Sequence, residues 1–137
     1  MDGRRLIHMA LLAALPLAAG AHHSFAAFDM AKNITIEGTV VAYKLENPHA
    51  HLVMQVDSID GKPQPKAVTW DVEGQAANIM RRQGWGAQTV KPGEKVKVVG
   101  HPLHTGDPGL SLFYLVGKDG KNYYGDIARP VVGNNAP

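Results

Sequence analysis

The sequence predicts a mostly β domain with one short helix. Hydrophobic residues alternate with polar ones over several short segments, 15 glycines and 9 prolines supply turns between them, and one segment has helical spacing. With 137 residues, 45% of them hydrophobic, we expect a single domain with one core. Cysteine is absent, so any bound metal must be held by nitrogen and oxygen ligands.

The first three strands are predicted from an alternation of period two. Strand one covers residues 33–46 and contains Gly38, which indicates a bulge or a bend. Strand two covers residues 49–57. The turn sequence Asp60-Gly61-Lys62-Pro63 leads into strand three at residues 68–73.

A helix and the remaining strands follow. Residues 75–83 carry apolar side chains at helical spacing and end at Gly84, a typical residue after a helix C-terminus. Strand four is predicted over residues 95–101 and strand five over residues 110–116. The hairpin turn Asp119-Gly120 then leads into a short strand at residues 123–124.

Three strands, a helix and two strands is the order of the oligonucleotide/oligosaccharide-binding (OB) fold, a five-stranded Greek-key barrel. A β-sandwich with one helix is the alternative. The barrel domain is expected over residues 22–128, with an N-terminal leader over 22–32 and a flexible tail over 129–137. Its predicted core consists of Leu52, Met54, Val56, Val68, Trp70, Val72, Ile79, Met80, Val96, Val98, Leu110, Leu112 and Tyr114.

Residues 1–21 have the pattern of a signal peptide. Two arginines precede the apolar run Leu6–Leu17, and the small residues Ala19 and Ala21 fit a cleavage site. The apolar run is too short to cross a bilayer core of about 30 Å as a stable helix. We therefore expect a periplasmic or secreted protein, with no membrane span in the mature chain.

The charge balance argues against nucleic acid as a partner. Lys and Arg number 14 against 12 Asp and Glu, a formal net charge of +2. This excess is too small to indicate a surface that binds a phosphate backbone.

Six of the seven histidines follow the predicted signal peptide, and they fall in three pairs. Each pair alone is also consistent with solvated or hydrogen-bonded histidines. A spacing of two on strand two would place both imidazoles on one face, opposite the core. The last pair leaves strand four in a loop, where two side chains can converge. The pairs are His22 and His23, His49 and His51, and His101 and His104.

The predicted cleavage site gives the first pair a particular chemistry. Cleavage after Ala21 would make His22 the first residue, whose α-amine and Nδ1 chelate Cu(II) together in a histidine brace. Cleavage after Gly20 would instead put His23 in third position, which suits a square-planar chelate of Cu(II) or Ni(II).

The sequence therefore predicts a metal-binding protein that buffers or carries Cu(II), with copper preferred over zinc because thiolate is absent. His22 would bind through its amine and ring, and His49 or His51 would complete the site. His23, His101 and His104 are alternate ligands. An envelope protein is a possible further partner. We expect a binding protein rather than an enzyme, and a copper oxidase or oxygenase built on the brace is the third hypothesis. A hydrolase is disfavoured further, since no serine or carboxylate motif of a hydrolase is present.

The alternative is a binding module without metal, which would use the barrel face for a glycan, a peptide or an envelope partner. Trp85 lies between two glycines and would be the stacking residue of such a surface. Packing of Trp85 against the barrel is the role that we expect instead.

Five segments of the chain carry a recognisable pattern: Ala21–Asp29, Glu37–Val40, Asn47–His51, Trp70–Glu73 and Gly84-Trp85. With these segments, the chain resembles DUF6152, a family of small exported bacterial proteins of unknown function. The resemblance covers about residues 21–120. It implies export and a compact β-rich domain, with the His-His start and the Asn-Pro-His segment as parts of the family motif. It implies no activity.

Overall fold

The computed structural model describes residues 25–125 of the chain. A short 3-10 helix at Phe25–Ala27 precedes six strands and one α-helix. The predicted signal peptide, the first residues of the predicted leader and the predicted tail lie outside the described residues. The elements are β1 (Ile34–Lys44), β2 (His51–Ile59), β3 (Lys62–Glu73), α1 (Ala77–Arg82), β4 (Lys95–Pro102), β5 (Gly109–Val116) and β6 (Asn122–Tyr124).

The strands form a closed barrel. Neighbouring strands pair in the order β3-β2-β1-β4-β5-β6, and a parallel pairing between β3 and β5 closes the first five strands into a barrel. β6 is an extra strand that pairs with β5. The helix lies between the third and fourth strands. This architecture is consistent with the predicted OB-like barrel, and the closure makes the sandwich alternative wrong.

Two glycines perform the tasks that the sequence predicts. A register shift between Glu37 and Gly38 makes the expected bulge in β1, and a Cβ at Gly38 would collide with the Gln55 carbonyl of β2. Gly84 has a φ of 91° directly after the helix, as a residue that ends a helix requires.

Two predicted boundaries in the β2–β3 hairpin are wrong. His49 does not belong to strand two, because β2 begins at His51. β3 begins at Lys62 instead of residue 68. Asp60 and Gly61 both have positive φ, 49° and 73°, which makes a tight two-residue turn and lets pairing resume at once.

The predicted core is confirmed except at three positions. Val68 is 46% exposed, because it pairs with β2 alone, whereas β5 reaches only Asp71–Glu73 of β3. Ile79 on α1 is half-buried, and so is Tyr114, which packs on Phe113 and Tyr124. Within the described chain, no helix is long and apolar enough to cross a membrane.

Candidate functional site

Residues 25–32 of the predicted leader pack along the end of β4 and the loop that follows it. The amide of Asp29 donates to the Pro102 carbonyl at 2.8 Å, and the amide of His104 donates to the Ala27 carbonyl at 3.0 Å. Between these two bonds, Phe28 forms a bridge with Leu103 and is only 7% exposed. The leader is therefore anchored to the barrel by both backbone hydrogen bonds and a buried aromatic ring.

Beside the leader, the barrel carries a row of four polar residues on adjacent strands. Glu73 lies opposite His51 of β2 on one side and opposite Ser111 of β5 on the other. Ser111 in turn lies opposite His101 of β4. Residues opposite each other share a face of the sheet, and Leu52, Val72 and Leu110 alternate with this row as core residues. The row therefore lies on the outer face of the barrel.

The leader covers one end of this row. The ring of His101 donates from Nδ1 to the Lys32 carbonyl at 3.0 Å and packs on Phe113 with 5.9 Å between ring centroids. His101 and Ser111 are each only 8% exposed, although both lie on the outer face. The leader therefore contributes to the burial of His101, together with Phe113.

A small cleft lies between Phe28 and the row. It offers about 10 Å³ of space to a water-sized sphere. A single water or ion needs roughly this much room, and an organic substrate needs far more. The cleft is lined by Phe28, His49, Glu73, Gly74, Gln75, Ser111, Leu112 and Gly125.

One hydrogen bond holds the ring of His49 in this cleft. Its Nδ1 lies 3.2 Å from the Gly74 carbonyl, with which it is hydrogen bonded, and Oε1 of Glu73 lies 3.2 Å away as a close contact without a hydrogen bond. A carbonyl oxygen accepts only, so the proton is assigned to Nδ1. Nε2 then keeps its lone pair, which is the state in which a neutral imidazole binds a metal.

His51 makes a similar contact outside the cleft. Its Nδ1 lies 3.1 Å and 3.2 Å from the two carboxylate oxygens of Asp71. The two side chains are 37% and 58% exposed. His104 is exposed as well, and its contact with the leader is made by its backbone.

The structure therefore regroups the predicted ligands. His49 and His101 lie under or beside the leader, whereas His51 and His104 face solvent. His22 and His23 lie outside the described residues. Within residues 25–125, no three His, Asp or Glu side chains are grouped closely enough to hold a metal ion. The predicted metal site remains a prediction.

Trp85 packs in the core, as expected. It is 3% exposed, and its Nε1 donates to the Tyr124 carbonyl at 2.7 Å. Its ring lies 6.0 Å from that of Tyr43 and 5.7 Å from that of Tyr123, measured between centroids. Trp85 is therefore unavailable for stacking on a ligand, which was its role in the alternative hypothesis.

Sequence reasoning missed two residues of the cleft. Phe28 and Ser111 were not predicted as site residues. Two signals pointed to them: Ser111 is a polar residue inside an otherwise apolar strand, and Phe28 is a large apolar residue in the leader. What joins them is the parallel pairing of β3 with β5 and the packing of the leader, which no local pattern reveals.

Comparison with known proteins yields a family and no characterised relative. Neither the curated proteins nor the solved structures contain a significant match to this chain. The model of a family of unknown function, DUF6152, matches residues 10–111, which is most of the chain. The chain therefore belongs to the DUF6152 family.

Proposed function

We propose that the protein is an exported Cu(II)-binding protein that buffers or carries the ion in the periplasm or outside the cell. His22, as the first residue after signal-peptide removal, binds through its α-amine and ring, and His49 supplies the next imidazole. One observation carries the proposal: Phe28 of the leader lines the same cleft as His49. The described part of the leader therefore lies next to His49, the proposed second ligand.

The distance between the two ligands is within reach of the chain. His22 precedes Phe28 by six residues. An extended chain spans at most about 3.3–3.6 Å per residue, so six residues cover up to about 20 Å. The N-terminus therefore does not need to cross the barrel to meet His49.

The ligand chemistry favours copper. An amine and two imidazoles suit the tetragonal geometry of Cu(II), and the cysteine-free chain offers no thiolate to favour zinc. His49 presents Nε2 with its lone pair free, because Nδ1 is hydrogen bonded. The cleft has room for an ion rather than an organic molecule.

The other histidines take secondary roles in this proposal. His101 holds the leader through Lys32 and is 8% exposed, so we assign it to leader packing rather than to the metal. His51, His104 and His23 remain alternate ligands. An envelope protein that receives the ion is the partner that such a carrier requires.

The test begins with the N-terminus. Mass spectrometry of the exported protein should show His22 as its first residue. Titration of that protein with Cu(II) at pH 7 should give one tight equivalent and a d–d absorption band. The affinity should fall below about pH 6, because free amines titrate near 8 and free imidazoles near 6.5.

The variant His49→Ala should weaken Cu(II) binding by at least about tenfold, while Val41→Ala, a control at an exposed position of β1, should not. No heat and no d–d band from correctly processed protein would refute the proposal. A chain that begins at Ala21 and binds Cu(II) regardless of His49 would indicate the third-position chelate instead.

A further inference from the structure

The barrel closes along only part of β3, so the rest of that strand has a free edge. β5 pairs with Asp71–Glu73, whereas the described pairings of residues 62–70 are with β2 alone. We propose that residues 66–70, the β3 edge, bind an extended acidic segment of a partner protein, which adds a strand to the sheet. This interaction is separate from copper binding and does not depend on it.

Thr69 provides the backbone groups that an added strand needs. The amide of Asp71 donates to the Pro108 carbonyl at 3.3 Å, on the side of β3 that faces away from β2. Backbone groups of alternate residues in an antiparallel strand point to the same side, so those of Thr69 point the same way as those of Asp71. The pairing with β5 begins only at Asp71. The N–H and C=O of Thr69 therefore face an open edge, which is the template for strand addition.

Val68 provides the apolar contact. It alternates along β3 with Trp70 and Val72, which are 8% and 1% exposed, yet Val68 itself is 46% exposed. Val72 lies beside Leu110 of β5, and the described strand pairings give Val68 no such neighbour on that side. An added strand with an aliphatic side chain at this point would bury Val68 and so extend the core.

Two lysines determine the charge of the partner. Lys62 and Lys66 are exposed, and among residues 25–125 the lysine ion pairs are made by three other lysines. The carboxylates at the opposite end of the edge already have partners, since Asp71 contacts the ring of His51 and Asp107 accepts from the Thr105 hydroxyl. An acidic segment is thus complementary to the lysine end of the edge, and a basic segment is repelled.

The same strand disfavours a second copy of the chain as the occupant. A second copy would bring the same two lysines to the interface. Pro63 and Pro65 have no N–H to donate, and the pairing with β2 moves from Pro63 directly to Val68, which makes a bulge. Prolines, lysines and bulges are the features that prevent identical sheet edges from associating. They leave the short stretch around Thr69 to a partner of opposite charge.

β6, the strand at the other end of the sheet order, is covered differently. The indole Nε1 of Trp85 donates to the Tyr124 carbonyl at 2.7 Å, and Trp85 belongs to the hydrophobic core. A core side chain therefore occupies a backbone acceptor of β6, whereas Thr69 of β3 has no such cover. This contrast favours the β3 edge as the docking surface.

The experiment compares two substitutions at one residue. Thr69→Pro removes the N–H at the edge, and proline is tolerated at an edge where the N–H faces solvent. Thr69→Ala keeps the N–H and removes only the side chain, whose hydroxyl accepts from Gln55. The probe is a fluorescently labelled synthetic peptide of about six residues, a typical strand length, in which glutamate alternates with valine.

Binding to the processed full chain is measured by fluorescence anisotropy without added copper, at low ionic strength, where charges are least screened. The wild type and Thr69→Ala should bind the peptide with similar affinity. Thr69→Pro should bind it at least about tenfold more weakly, because the added strand loses its backbone donor. Circular dichroism checks that both variants are folded.

Charge and apolar contact are tested separately. The same peptide with lysine in place of glutamate should bind the wild type at least about fivefold more weakly, and Lys66→Glu should reduce this preference. Val68→Ser should weaken binding of the glutamate peptide by about threefold to tenfold.

Three results would overturn the proposal: equal affinity of Thr69→Pro and Thr69→Ala, equal affinity of the wild type for both peptides, or no binding of either peptide. A wild-type dimer in sedimentation that Thr69→Pro abolishes would also overturn it and would identify a second copy as the occupant. Should Thr69→Pro fail to fold, Lys66→Glu and Val68→Ser decide the question. Because copper is absent from these measurements, their outcome is independent of the proposed function.

Discussion

Trp85 and Phe28 each cover one part of the barrel, but the surfaces beneath them differ in kind. Trp85 packs among Tyr43, Tyr123 and the hydrophobic core. Phe28 covers a cleft that contains an imidazole, a carboxylate and a hydroxyl. Burial of apolar surface around Trp85 stabilises the fold. The polar groups next to Phe28 are not needed for packing, and in the proposed function one of them, the imidazole of His49, binds the ion. Substitutions at the two positions should therefore separate folding from binding.

The largest expected effect is on stability, from Trp85→Ala. Loss of the buried indole, and of its hydrogen bond to the Tyr124 carbonyl, should lower the free energy of unfolding by about 3–5 kcal/mol. Urea denaturation followed by circular dichroism measures this change. Trp85→Phe should lose less. A loss below about 1 kcal/mol in Trp85→Ala would contradict the packing role.

Phe28→Ala should change binding more than stability. The leader lies at the edge of the barrel, so we expect a loss of about 1–3 kcal/mol in the free energy of unfolding. Cu(II) affinity should fall at least about tenfold, because a released leader lowers the effective concentration of the N-terminal ligand near His49. Met30→Ala is the control, since Met30 belongs to the same segment but is 41% exposed. Unchanged affinity in Phe28→Ala would break the proposed link between leader packing and binding.

The smallest expected effect is on the pH dependence of stability, and it comes from Tyr43. The ring of this residue packs against that of Trp85. Burial raises the pKa of its hydroxyl to about 12, an effect that the nearby charge of Arg81 only partly offsets. The unfolded chain loses this proton near pH 10, so the contribution of Tyr43 to stability is complete below pH 10 and is lost as the pH rises toward 12. Tyr43→Phe should flatten this fall in urea denaturation measured at pH 7, 10 and 11.

At pH 7, Tyr43→Phe should be as stable as the wild type or more stable by up to about 1 kcal/mol. The reason is that no donor or acceptor among the described residues reaches the buried Tyr43 hydroxyl. An equal fall of stability with pH in both proteins would show that Tyr43 does not contribute to it.

Most of the barrel could be predicted from local pattern. Alternation of period two located β1, β4 and β5 to within two residues, and the Asp119-Gly120 turn located β6. The bulge at Gly38 and the helix end at Gly84 were predicted correctly because each position requires a glycine. Gly38 allows a close approach of two strands, and Gly84 has a positive φ. The error at Val68 arose because alternation indicates a face, but not where along β3 the barrel closes.

The candidate site was less predictable, since sequence neighbours are not spatial partners there. His49 and His51 were expected to share one face of a strand, and His101 and His104 were expected to converge in a loop. In each pair, one residue lies near the leader: His49 is half-buried there and His101 is buried. The other residue of each pair is more exposed and has different contacts. Which member is covered depends on leader packing and on the exact start of β2, both of which are set by long-range contacts.

The strand pairing that closes the barrel covers only three residues of each strand. Among the described strands, parallel pairing occurs only between β3 and β5, over Asp71–Glu73 and Gly109–Ser111. Glu73 and Ser111 are paired across this seam, so the side of the cleft opposite Phe28 includes both strands that the seam joins. A ligand that contacted both strands there would favour the joined state by mass action. Occupancy and resistance to unfolding would then rise together, and slower amide exchange along the seam would report both.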